Sequence, residues 1–222
     1  MQSAGIVKKR YSGFNSKDYI TPPPNWAVLF WMEICYNKLM EKKLYIIAGP
    51  NGSGKTTLAK ELVQEEKITF LNADEIAAQH CDTVGMLAGR ILLNKLEKCF
   101  ATGDSIVLES TVSGNYHSRV IARAKKEKYK VVFVYVFLLS VEQNLARIRQ
   151  RVALGGHNVP VADVKRRYKR SLQNFFDIIP SVHEWMLYYN GGDNFDMIAQ
   201  GSGEKLEIMN EVVYNKFKKE AK

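Results

Sequence analysis

Leu44-Tyr45-Ile46-Ile47-Ala48 runs directly into Gly49-Pro50-Asn51-Gly52-Ser53-Gly54-Lys55-Thr56-Thr57. The first five residues are an unbroken apolar run of strand length, and 55–66 has helical character, so the glycine-rich stretch joins a strand to a helix. It matches GxxxxGK[ST], the phosphate-loop pattern, in the context that pattern requires. Glycines let successive backbone N–H groups converge on phosphate oxygens, and the helix N-terminus adds a favourable dipole. Lys55 is placed to reach β- and γ-phosphates, Thr56 to offer its hydroxyl to Mg²⁺, and Thr57 to donate to an α-phosphate. Residues Gly49 to Thr57 therefore predict binding of ATP with Mg²⁺. The loop alone does not separate a kinase from a transporter ATPase or a GTPase.

Outward from the loop, strand and helix patterns alternate. Further strands are predicted at 68–71, 105–108, 131–139 and 195–199. Helices are expected up to Thr102-Gly103, then over 116–128, 141–152, 161–178 and 205–219. Fully apolar strands alternating with helices predict a three-layer α/β P-loop fold with a mostly parallel sheet covered on both faces. Upstream, residues 1–24 are polar and end in Thr21-Pro22-Pro23-Pro24, a stiff segment that helices do not cross. Residues 26–40 carry apolar side chains at helical spacing. The expected organisation is a 1–41 extension with one apolar helix, followed by a 42–222 kinase-like domain.

Composition narrows the class only a little. With 222 residues, 46% hydrophobic and 25% charged, the chain is expected to bury its own core without a metal or disulfide staple. Cys35, Cys81 and Cys99 form no CxxC pair, which argues against a disulfide framework or structural zinc. No apolar run reaches membrane-spanning length and the first residues lack a secretory pattern, so the expected compartment is the cytoplasm. The net charge of +9 attracts phosphates or other anions. Much of it lies between 145 and 170, where Arg147, Arg149, Arg151, Lys165, Arg166, Arg167, Lys169 and Arg170 predict an arginine-rich helical lid. Gly155 and Gly156 would hinge it, and His157 lies beside them. Arg147 and Arg151 are one helical turn apart and are the candidate catalytic arginines.

Two acidic positions follow separate strands. Asp74 lies just after 68–71, where a carboxylate can accept the proton of an attacking hydroxyl; its structural alternative is an N-cap for a helix starting near Glu75. Glu109 and Thr111 follow 105–108, at the edge where open α/β sheets bind ligands. A segment resembling LSGGQ is absent, as is an NKxD-like motif, which leaves a small-molecule kinase ahead of a transporter ATPase or a GTPase.

GPNGSGKTT, Phe70-Leu71-Asn72-Ala73-Asp74-Glu75-Ile76, Val107-Leu108-Glu109-Ser110-Thr111, RVALGGHNVPVADVKRR at 151–167 and YYNGG at 188–192 occur in an order and spacing similar to the zeta-toxin kinase family. The resemblance covers about 42–201. It implies transfer of the ATP γ-phosphate to a sugar hydroxyl, best known for UDP-N-acetylglucosamine, with acceptor contacts at Glu109 and Thr111 and two lid arginines. It also implies toxicity and a small antitoxin partner. The segment GGHNVP departs from the best-studied toxins. Two other readings remain: a nucleotide or antibiotic kinase, and a basic ATP-regulated nucleic-acid-binding module. Aromatic residues interleaved with basic ones would favour the latter, and the arginine cluster holds only Tyr168.

Overall fold

Strand β1 (Lys43–Ala48) sends alternate side chains into two separate cores, as its period of two requires. Leu44, Ile46 and Ala48 enter one cluster, and Tyr45 and Ile47 the other. A strand buried on both faces reads as continuously apolar, which is why Leu44 to Ala48 shows no alternation. The computed structural model describes residues 41–66, 68–80, 86–156, 158–192 and 194–222. The expected 26–40 helix, the Pro22–Pro24 boundary, Cys35, Cys81 and His157 lie outside them.

After β1 come α1 (Lys55–Glu66), β2 (Thr69–Asn72), α2 (Ala73–Gln79), α3 (Met86–Thr102), β3 (Ile106–Ser110), α4 (Tyr116–Lys126) and β4 (Lys130–Phe137). The chain continues through α5 (Val141–Ala153), α6 (Val161–Ile178), a short 3₁₀ turn (Ile179–Ser181), β5 (Glu184–Tyr189), β6 (Asp196–Ser202), β7 (Lys205–Ile208) and α7 (Glu211–Glu220). The sheet order is β2-β3-β1-β4-β5-β6-β7. Pairings among the first five of these strands are parallel, and those of β5 with β6 and β6 with β7 are antiparallel.

One face of the sheet packs on α1 through Leu58, Ala59, Leu62 and Val63. The other packs on α2, α3, α4, α6 and α7, with Tyr135, Phe175 and Phe217 at its aromatic centre. These rings meet edge-on, the arrangement their quadrupoles favour. A small third cluster, Ile148, Val159 and Val164, ties α5 to α6. The three-layer, mostly parallel α/β fold expected from the sequence is present.

Two elements differ from expectation. Residues 205–208 form β7 and not the start of a helix, because Gly203, at φ +58°, turns β6 back on itself and pairs Ser202 with Lys205. The closing helix begins only after Asn210, whose side chain accepts from the Val213 N–H at 3.0 Å. Residues 184–189, which carried no strand assignment, form β5 beside β4.

Candidate active site

The phosphate loop leaves β1 at Gly49, whose φ of +138° suits glycine alone. A Cβ there would strike the Val136 carbonyl of β4, and one at Gly54 (φ +95°) would strike the Asn190 amide. Two asparagines clamp the loop from outside. Asn144, fully buried on α5, donates to the Asn51 carbonyl at 2.7 Å, and Asn190 donates to the Ser53 carbonyl at 2.8 Å. Both carbonyls thereby turn outward. Because α1 begins at Lys55, the Lys55 and Thr56 N–H groups have no intrahelical acceptor, whereas the Thr57 N–H turns back to the Gly54 carbonyl at 3.2 Å.

Within the loop, Asn51 Oδ1 and Ser53 Oγ are buried without a hydrogen-bond partner among the described residues. Buried polar atoms left this way ordinarily meet a ligand or water. Orphaned atoms, free helix N–H groups and glycines packed too closely for any side chain together fit a polyphosphate. Lys55 Nζ donates to the Pro50 carbonyl at 2.8 Å. Burial lowers the Lys55 pKa, and the charges of Glu109 and Asp74 oppose that shift. Those two carboxylates are what keep an ammonium affordable in this position.

Adjacent strand ends bring the acidic groups to the loop. Asn72 on β2 lies opposite Glu109 on β3, and Ala48 on β1 lies opposite Ser110. Thr56 Oγ1 donates to Glu109 Oε1 at 2.9 Å, and Asn72 Nδ2 donates to Glu109 Oε2 at 2.9 Å. Burial pushes the Glu109 pKa up, while Lys55 and the Thr56 hydroxyl pull it down. A hydroxyl and a carboxylate side by side are hard oxygen donors that suit Mg²⁺, which takes few protein ligands when phosphates and water complete its shell.

Asp74 is not the N-cap of the following helix. That role belongs to Asn72, whose Oδ1 accepts from the Asp74 N–H at 2.8 Å and the Glu75 N–H at 3.4 Å, so α2 starts two residues earlier than expected. The Asp74 side chain is left to line a cavity of about 400 Å³ together with Lys55, Asn72, Glu109, Thr111 and Arg167. The volume falls in the range of small-ligand sites.

Residues within 110–117 line this cavity, a segment of which the sequence marked only its start, Ser110 and Thr111. Val112, a β-branched residue, sits at φ +45°, which costs on the order of 1–3 kcal/mol. Several bonds hold it there. Its N–H donates to Ser110 Oγ at 3.1 Å, and its carbonyl accepts from Asn174 Nδ2 of α6 at 2.6 Å. Ser110 Oγ also accepts from Tyr116 OH at 3.2 Å and lies 2.7 Å from His117 Nε2. His117 Nδ1 faces the Gly114 carbonyl at 3.3 Å, and a carbonyl only accepts. The ring proton therefore resides on Nδ1, and the Ser110 hydroxyl donates to Nε2. Burial lowers the His117 pKa to about 4, so the ring is neutral at physiological pH. Thr111 and Ser113 share a hydrogen bond of 3.0 Å beside this cluster.

The arginines separate. Arg147 does not line the cavity; it donates to the Asn190 carbonyl at 2.6 Å. Arg151 is exposed on the last turn of α5, and its charge reaches Lys55. Arg166 pairs with Asp163 one turn away. Arg167 lines the cavity. Tyr116, His117, Ser110, Asn144 and Asn190 were missed because a buried polar cluster has no period in a sequence; the one available signal was a histidine and a tyrosine opening a helix just after a strand-end serine.

Comparison with known proteins places this arrangement among P-loop proteins. A protein of Haemophilus influenzae is 33% identical over 134 residues, covering 59% of this chain and 95% of its own. The structure of AvrRxo1-ORF1 in complex with AvrRxo1-ORF2 and ATP superposes with a TM-score of 0.65 at 18% identity, covering 83% of this chain and 66% of that one. This chain thus spans just under two thirds of that length. A structure from the PezAT toxin–antitoxin system of Streptococcus pneumoniae gives a TM-score of 0.57 at 12% identity, covering 90% and 97%. Likenesses at these identities establish a shared fold. The pattern of AAA_33, an AAA domain, matches residues 44–174, more than half of the sequence, and the chain belongs to that family.

Proposed function

We propose that this protein transfers the γ-phosphate of ATP to a hydroxyl group of a small molecule. The observation that carries this reading is that Asp74 lines one cavity with Lys55 and Glu109, beside the phosphate loop. A hydroxyl bound there has a general base on one side and a phosphoryl donor on the other.

In this reading the acceptor oxygen attacks the γ-phosphorus in line as the bridging bond to the β-phosphate breaks. Asp74 takes the hydroxyl proton, and ADP carries away the electron pair. Gly49 to Thr57 bind the nucleotide, and Lys55 shifts from the Pro50 carbonyl to the β/γ oxygens. Thr56 would hold Mg²⁺, with Glu109 beside it through its hydrogen bond to the Thr56 hydroxyl, and the ion would supply positive charge to the phosphates. Asn72 keeps Glu109 oriented. Arg151 meets the charge that develops on the transferring group, and Arg147 fixes the turn that carries Asn190.

For the acceptor we propose a nucleotide sugar such as UDP-N-acetylglucosamine, with Glu109 and Thr111 at the sugar. Its support is the sequence resemblance at residues 42–201 and a hydroxyl-rich cavity floor. A role in a toxin–antitoxin pair, with a small antitoxin as partner, is supported by likeness to AvrRxo1-ORF1, seen in complex with ORF2, and to a PezAT structure. Among the described residues no helix is long and apolar enough to cross a membrane, which accords with the proposed cytoplasmic location. Incubation with γ-labelled ATP, Mg²⁺ and a metabolite mixture that includes UDP-N-acetylglucosamine should move label onto the sugar with wild type and not with Asp74→Asn. Label on a different metabolite would replace the acceptor and keep the kinase; label on none would remove both.

A further inference from the structure

The cavity is electrically lopsided. Asp74 and Glu109 lie near enough to Lys55 for their charges to act on it, and Arg167 enters the cavity from α6. No hydrogen bond or ion pair engages Arg167 among the described residues, whereas Arg166 pairs with Asp163 and Arg147 with a backbone carbonyl. A half-buried guanidinium with no partner, facing a ligand-sized cavity, calls for an anion.

Two anions compete for that role: the transferring phosphoryl group and a charged group on the acceptor. Asn174 lies two helical turns beyond Arg167, on the same face of α6, and its amide is bonded to the Val112 carbonyl. The helix face that carries Arg167 is therefore fastened to the Ser110–Gly114 loop, which is the acceptor side of the cavity. We propose that Arg167 is a specificity residue that binds an anionic group of the acceptor, so that the substrate is an alcohol carrying a carboxylate or phosphate remote from the reacting hydroxyl. The charges then orient it: its anion is repelled from Asp74 and Glu109 and drawn to Arg167, which turns the hydroxyl toward Asp74. The Thr111 and Ser113 hydroxyls hold the segment between.

This assignment rests on the kinase reading, and the test separates the two. Full-length wild type, Arg167→Gln, Arg167→Lys and Arg151→Gln are assayed for ADP release and product with Mg²⁺, ATP and matched acceptor pairs: glucose and gluconate, ribose and ribose 5-phosphate, N-acetylglucosamine and its UDP conjugate. Thermal melts with ATP verify folding. Transfer is expected only to anionic members. In Arg167→Gln the acceptor KM should rise about 10- to 100-fold, the loss typical of a charged hydrogen bond. The KM for ATP should move little, and Arg167→Lys should recover part of the loss. Arg151→Gln should instead lower kcat. Equal use of the neutral members, or a fall in kcat at constant acceptor KM in Arg167→Gln, would overturn the assignment and leave the kinase standing. Bound ATP with no transfer to any member would overturn the kinase reading and this assignment with it.

Discussion

Lys55 and Glu109 each bear an unfavourable environment that the other relieves: burial works against both charges, and each charge offsets the other's shift. Such opposed shifts are frequent where phosphate and metal are handled. Removing one partner is therefore informative. Lys55→Ala is expected to weaken ATP binding about 10- to 100-fold by calorimetry and to abolish transfer, since it deletes a charged hydrogen-bond donor to the β/γ oxygens. Asp74→Asn keeps the backbone N–H that Asn72 caps, so ATP affinity should persist while turnover falls about 100-fold or more. A variant with normal turnover would remove Asp74 from the chemistry. His117 gives a pH prediction with a definite sign. Its folded pKa of about 4 lies below the free value of 6.5, so the unfolded chain takes up the proton first as pH drops. Stability is lost from about pH 6.5 downward and the loss saturates below about pH 4, on the order of 3 kcal/mol in total. Melting temperature should thus fall less steeply between those pH values in His117→Gln than in wild type; parallel curves would contradict the buried neutral ring.

At the level of elements, long periodic segments were legible and short irregular ones were not. Helix α6 was read at its observed bounds because Val164, Tyr168, Leu172 and Phe175 recur at helical spacing and all are buried. β7 was hidden because two exposed apolar residues, Leu206 and Ile208, sit close enough to the true helix to extend its pattern; Ser202-Gly203-Glu204-Lys205 was the overlooked hairpin signal. β5 was masked by its mixed burial at the junction where the sheet changes from parallel to antiparallel. The same logic divides the site. Gly49 to Thr57 announce themselves because phosphate binding demands a fixed local spacing, whereas the Ser110–His117 cluster is built by tertiary contacts. Helices α5 and α6 carry the arginines of the account. Arg151→Ala is expected to lower kcat by more than it raises the KM for ATP, since stabilisation confined to the transition state gives that pattern. Steady-state kinetics with ATP as the varied substrate would decide it; a pure KM effect would make Arg151 a nucleotide contact.

Across the whole molecule, β1 and β3 are neighbours whose following connections run in opposite directions, β1 to β2 and β3 to β4, which opens a crevice at their carboxyl ends. Every group assigned to the chemistry reaches that crevice from a strand end or the helix after it: the phosphate loop from β1, Asn72 and Asp74 from β2, Glu109 and Ser110 from β3. Arg151 and Arg167 come from α5 and α6, which the third small core joins as one unit. The central claim is that this crevice performs phosphoryl transfer to an alcohol and does not merely bind or hydrolyse nucleotide. Phosphorus-31 NMR of the protein with Mg²⁺, ATP and a pool of small metabolites measures it directly. The account predicts ADP together with a new phosphomonoester resonance in wild type, and neither at a comparable rate in Asp74→Asn. Untouched ATP, or inorganic phosphate as the sole product at equal rates in both proteins, would contradict it.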